Sequence, residues 1–143
     1  MENNQNLQPE NKVGLKVFLL IVIQIIVAIP LYLLVFITVN AVTNGALLNL
    51  PVLQAIIATI LFIASLYIAL LIRSNKFVFE DIKPVSQMNA MVNAVFGLLG
   101  LLAGHDFTKF YIFIAYTIFG YLVPKWFLEN KFKKSTTASI VTK

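Results

Sequence analysis

Few side chains in this sequence could carry out a reaction. His105 and Asp106 are the one place where a carboxylate stands beside an imidazole. Adjacent residues on a turn diverge and rarely share a substrate proton, so the pair reads as a polar turn rather than a general acid–base dyad. Glu80 and Asp81 are neighbours too, and the nearby Lys76 and Lys83 are the partners expected for them, not a metal ion. Cysteine is absent, which excludes disulfides, thiolate metal sites and cysteine nucleophiles together. The chain carries no Gly-x-Ser-x-Gly elbow, no His-Glu-x-x-His helix and no phosphate-binding glycine loop ending in Lys-Ser/Thr. No enzyme activity, cofactor or metal is expected. What remains is a set of uncharged amides, chiefly Gln24, Gln54, Asn89 and Asn93, which can donate and accept hydrogen bonds but cannot move a proton.

The elements that must position those amides are apolar. Of 143 residues 59% are hydrophobic and 12% charged, about half the charge of an ordinary soluble domain. Such a chain lacks the polar side chains to cover a core in water, and the class it implies is an all-α integral membrane protein. Residues 1–15 form a polar tail expected to be disordered, because its Asn- and Gln-rich start buries too little to offset ordering. Four spans follow, at about 17–39, 50–72, 85–104 and 108–128. The first is free of charge and about 35 Å long as a helix, enough to cross a hydrocarbon layer of about 30 Å. Asn44-Gly45 marks the first turn, and Pro51 suits the first turn of the second helix. The fourth span needs Lys125 to snorkel, and a re-entrant hairpin of the third and fourth segments is the alternative. Residues 129–143 form a basic tail.

Charge fixes an expected orientation. With four spans, every Lys and Arg except Lys109 falls on the side of the two termini and the 73–84 loop. The positive-inside rule then places both termini in the cytoplasm, and the lopsidedness supports an even number of spans. Arg73, Lys76, Lys125 and Trp126 read as interfacial anchors, with Tyr121 and Phe127 beside them and Tyr111 at the opposite interface. Lys131, Lys133 and Lys134, with Phe132, would meet an anionic leaflet, worth about 1 kcal/mol per charge, though topology alone explains them.

Lipid offers little apolar drive for helix association, so small and polar residues mark contact faces. In the third span Asn89, Asn93, Gly97, Gly100 and Gly104 fall within about 80° of arc on a helix. Gln54, Ala58, Ser65 and Ala69 form a similar stripe on the second span, and Gln24, Ala28 and Thr38 on the first. Two readings stay open. The stripes pack helices together through interhelical hydrogen bonds of about 0.6–2 kcal/mol each. Alternatively, Gln24, Asn89 and Asn93 line a polar path or headgroup cleft. Pro30 and Pro124 add a constraint: each removes a helix hydrogen bond and frees the carbonyl four residues back, Ile26 and Gly120. A freed carbonyl at membrane depth needs a partner.

The segment Ile72-Arg73-Ser74-Asn75-Lys76-Phe77-Val78-Phe79 resembles the basic–aromatic helix ends of the small, four-span GtrA-like membrane proteins. Pro124-Lys125-Trp126-Phe127 and Lys131-Phe132 end the fourth span in a similar way. The resemblance covers the layout from Lys16 to Phe132 and implies movement of polyprenyl-phosphate-linked sugars across an inner membrane. The first span departs from that family, having only Gln24 as a polar residue between Phe18 and Gln24.

Two functions are expected from this sequence. One is an accessory or immunity-type subunit of a membrane complex, acting through intramembrane helix contacts. The other is translocation of a polyprenyl-linked sugar or small neutral substrate by a homo-oligomer, since four short spans enclose little volume. The absence of charged or imidazole groups inside the first three spans disfavours a proton-coupled carrier. The expected location is a bacterial inner membrane. Expected partners are the bilayer, a second copy or another membrane protein, and an anionic or polyprenyl lipid; nucleic acid is not among them.

Overall fold

The computed structural model describes residues 9–44, 46, 50–102 and 107–141, with side chains described over 12–44, 46, 50–102 and 109–133. Gly45, Gly104, His105, Asp106, Lys134 and Lys143 lie outside the residues whose side chains are described. The described residues form four α-helices: α1 (Pro9–Thr43), α2 (Pro51–Arg73), α3 (Ile82–Leu102) and α4 (Phe107–Val141). Each contains a stretch long and apolar enough to cross a membrane. They run up-down-up-down as a bundle, with α1 against α2, α2 against α4 and α4 against α3; the direct seam between α1 and α3 is thin.

The helices outrun the expected spans at both ends of the chain. α1 begins at Pro9, inside the segment expected as a disordered tail, and α4 continues to Val141 through the segment expected as a basic tail. Once a long apolar helix is nucleated, adding residues at its ends costs little, since each fixed residue adds a hydrogen bond. α3 and α4 are single helices of 21 and 35 residues.

Local chemistry explains the boundaries. Asn44 follows α1 with φ 49°, a left-handed conformation that asparagine tolerates better than most residues. Pro51 occupies the first turn of α2, where its missing N–H costs nothing. α2 ends in a 3-10 turn, Ser74–Lys76, and Lys131 of α4 reaches back to donate to the Ser74 carbonyl and, at 3.3 Å, to Asn75 Oδ1. One lysine of the basic C-terminal cluster therefore caps a helix end. Phe77 is buried, while Phe79 meets Phe132 edge-on at 6.0 Å, so the basic–aromatic segment ties α2 to α4.

A second 3-10 turn, Phe79–Asp81, opens α3. Asp81 Oδ2 accepts the Val78 N–H at 2.8 Å and Lys16 Nζ of α1 at 2.5 Å. The expectation that Asp81 pairs with Lys76 or Lys83 is corrected here. Asp81 is buried and faces α1, so the lysine it meets is the one brought over it by tertiary packing. Just above this ion pair lies the apolar core: Val17, Leu20, Leu66, Leu70, Val85 and Leu128, all essentially inaccessible. Ile26, Ile29, Leu33, Phe36 and Ile37 of α1 point outward, as lipid-facing side chains would.

Candidate functional site

Beyond that core the bundle becomes polar inside. Gln24 of α1, Ser65 of α2 and Asn89 and Asn93 of α3 are all buried at this level. The third-span stripe turns out to serve two purposes, divided along its length. Asn89 donates from Nδ2 to the Gly120 carbonyl at 2.7 Å. That carbonyl is the one freed by Pro124, which has no N–H to give it and is itself fully buried. Asn89 thus replaces, from a neighbouring helix, the hydrogen bond that proline deleted. Its Oδ1 is buried with no hydrogen-bond partner among the described residues.

Close approach of α3 and α4 is set by two glycines. A Cβ on Gly97 would lie 2.8 Å from Phe113 Cδ2 and 3.1 Å from its Cα, leaving no room for a side chain. A Cβ on Gly120 would meet Asn93 Nδ2 at 3.2 Å. Gly100 differs: among the described residues no atom lies within 4 Å of the position its Cβ would take. Gly104, the last member of the stripe, is outside the described residues.

Asn93 belongs to the other side of the stripe. Its Nδ2 donates to the Asn89 carbonyl at 2.8 Å, and the residue lines a cleft of about 210 Å³ together with Gln24, Ser65, Tyr32 and Tyr116. Ile21, Ile25, Ala28, Phe62 and Phe96 complete the walls. Ile25 and Phe96 are about half exposed, so the cleft opens sideways through the thin α1–α3 seam. Of the three residues expected to line a path or headgroup cleft, Gln24 and Asn93 border this cleft, and Asn89 is turned into the α3–α4 seam.

Away from the basic end, the cleft is closed by tyrosines. The Tyr32 hydroxyl donates to the Ala58 carbonyl at 3.0 Å, and the Tyr116 hydroxyl lies 2.8 Å from it. The Tyr116 ring stacks on Phe62 with centroids 4.1 Å apart. Toward the basic end, the Val17–Leu20–Val85–Leu128 layer and then the Lys16–Asp81 pair lie between the cleft and the end of the bundle. The result is an uncharged, mostly apolar chamber with a few polar groups on its wall, open to one side and shut above and below. No family model matches the chain, and no curated protein or solved structure matches it.

Sequence reasoning passed over Tyr32 and Tyr116, since tyrosines in spans read first as interfacial belts. A signal was present for one of them. Gln24, Ala28 and Tyr32 recur at steps of four, so the first-span stripe extends to Tyr32. Tyr116 has no such mark, because nothing in α4 alone says which face meets α2. The remaining expected residues are spread out. Ser65 donates to the Phe62 carbonyl of its own helix at 2.9 Å, and Thr38 is exposed and bonds the Leu34 carbonyl. Gln54 is exposed on α2. Of the anchors, Arg73 and Lys76 close α2, Lys125 sits 5.6 Å over the Tyr121 ring, and Trp126 is exposed.

The chamber can hydrogen-bond a hydroxyl, carbonyl or amide group. It offers amides and phenols and no ionised group, so it would hold a neutral polar moiety without a charge partner. The apolar walls suit a molecule that is otherwise lipid-soluble.

Proposed function

We propose that this chain is a small, non-enzymatic, multi-pass protein of a bacterial inner membrane, with both termini cytoplasmic. In this reading its cleft admits, from the bilayer, the neutral hydrogen-bonding part of a lipid-soluble molecule and helps it cross. The observation that carries the reading is the side-opening chamber lined by Gln24 and Asn93. Amides can donate and accept hydrogen bonds, and an opening toward lipid lets a ligand reach them. The resemblance at Ile72–Phe79 supports a polyprenyl-phosphate-linked sugar, whose hydroxyls suit such a lining. A chamber of about 210 Å³ holds only part of such a molecule, which favours a homo-oligomer as the working unit.

The test is native mass spectrometry of the protein extracted gently with its own lipids, alongside Gln24→Leu. The expected spectrum contains a self-oligomer with a bound polyprenyl or other non-phospholipid amphipath, and the Gln24→Leu spectrum lacks it. A wild-type protein carrying only bulk phospholipid overturns the reading.

A second reading, an accessory or immunity-type subunit, is favoured by α1. Only 11% of its most apolar stretch is buried within the chain, against 33% for α2, leaving a long face for another membrane protein. A stoichiometric second polypeptide in the same spectrum would select it.

A further inference from the structure

A second pocket lies on the same α1–α3 seam, nearer the basic end, and its chemistry differs from that of the chamber. It encloses about 650 Å³, within the range of small-molecule sites. Its rim is charged: Lys12 and Lys16 from α1, Glu80 and Asp81 from the turn that opens α3. Its walls are Val13, Pro84 and Met88, leading down toward the buried Val17 and Val85 of the core. Charge at one end and apolar side chains at the other is the arrangement an amphipathic lipid requires, at the depth where both helices enter their apolar stretches.

The four rim charges sum to zero. Lys16 and Asp81 are bound to each other at 2.5 Å, with Asp81 buried. Lys12 and Glu80 are the exposed charges of the rim. Lys12 can take a phosphate, while Glu80 repels one and attracts a cation that can donate hydrogen bonds. An anionic headgroup would meet one favourable and one unfavourable charge. A zwitterionic headgroup with a primary ammonium satisfies both.

We infer that the pocket between Lys12 and Glu80 at the mouth of the α1–α3 seam is a binding site for a zwitterionic aminophospholipid, a phosphatidylethanolamine. Its phosphate lies toward Lys12, its ammonium toward Glu80, and an acyl chain runs past Val13 and Met88 along the seam. The site rests on the membrane reading of the four helices but not on what the chamber binds. In the bilayer this lipid would occupy the basic end of the thin seam between α1 and α3.

The experiment is a native mass-spectrometry titration of the detergent-purified full chain with dioleoyl-phosphatidylethanolamine, -phosphatidylglycerol and -phosphatidylcholine, each added singly. Phosphatidylethanolamine should bind about threefold or more tightly than either other lipid, the scale of one exposed charge-assisted contact. Glu80→Gln should remove that preference, since its ammonium partner is gone. Lys12→Gln should weaken phosphatidylethanolamine and phosphatidylglycerol alike. Both residues are exposed, so both variants should fold, and an unchanged thermal transition checks this. Equal binding of the three lipids, tighter phosphatidylglycerol binding, or a preference that survives Glu80→Gln would each overturn the assignment. None of these outcomes bears on the Gln24→Leu test of the chamber.

Discussion

The two seams that α3 makes are built on opposite principles. Against α4 it is tight: Gly97 lets Phe113 approach to backbone distance, Gly120 lets Asn93 do the same, and Asn89 completes a hydrogen bond across the gap. Against α1 it is thin, holding an ion pair at one end and a chamber in the middle. The difference shows what a polar residue can do inside an apolar bundle. Where helices touch, an amide is glue, and its partner is a neighbouring backbone. Where they part, an amide borders a cleft, as Gln24 and Asn93 do. Asn89 belongs to the tight seam, and Asn93, one helical turn on, packs on Gly120 and also borders the cleft.

The contrast can be broken most directly at Gly97. Gly97→Ala forces α3 and α4 apart and should cost about 1–3 kcal/mol, the usual penalty of overpacking. Gly100→Ala, one turn along the same stripe, should be neutral or slightly stabilising because its surroundings are open. Thermal unfolding of both variants in detergent checks the pair, and equal losses would show that Gly97 is not a point of close approach.

Asn89→Leu comes next. It orphans the Gly120 carbonyl and should cost about 1–3 kcal/mol. Pro124→Ala restores an N–H in α4, so the cost of Asn89→Leu should shrink in that background. A double-mutant cycle measured by denaturant titration reads this coupling, and strict additivity would mean that Asn89 does not stand in for the proline.

On the open seam, Lys16→Ala leaves the buried Asp81 carboxylate with only the Val78 N–H and should cost about 1–2 kcal/mol. Removing both partners, as in Lys16→Ala with Asp81→Ala, should recover part of the loss, since no unpaired buried charge remains. The smallest effect on stability is expected at Gln24. Gln24→Leu should leave the thermal transition within about 0.5 kcal/mol, as a side chain that lines a cleft holds little together. Its effect belongs to ligand retention, and a large loss of stability would move Gln24 from the lining to the glue.

The two prolines repeat the lesson on a smaller scale. Both delete a hydrogen bond within a long helix, and by sequence they are equivalent. Pro124 is buried and its freed carbonyl faces Asn89; Pro30 lies on an exposed face of α1. Burial is a property of the helix's neighbours, so no inspection of α1 or α4 alone distinguishes them.

Much of the fold could be read from the sequence by itself. Long charge-free stretches, Pro51 at a helix start and basic residues at alternate ends determined four helices and their order, because helix length and hydropathy are local quantities. Periodicity likewise marked Asn89, Asn93 and Gly97 as one face, since steps of three and four align side chains on any helix. The tertiary structure alone decided how that face was divided. It set Asn89 on a carbonyl 31 residues away, brought Lys16 to Asp81 across 65 residues, and placed Tyr32 over Ala58 and Tyr116. Such contacts depend on the rotation and spacing of whole helices about one another. In an apolar chain, where lipid and protein solvate most side chains almost equally, hydropathy carries no information about either.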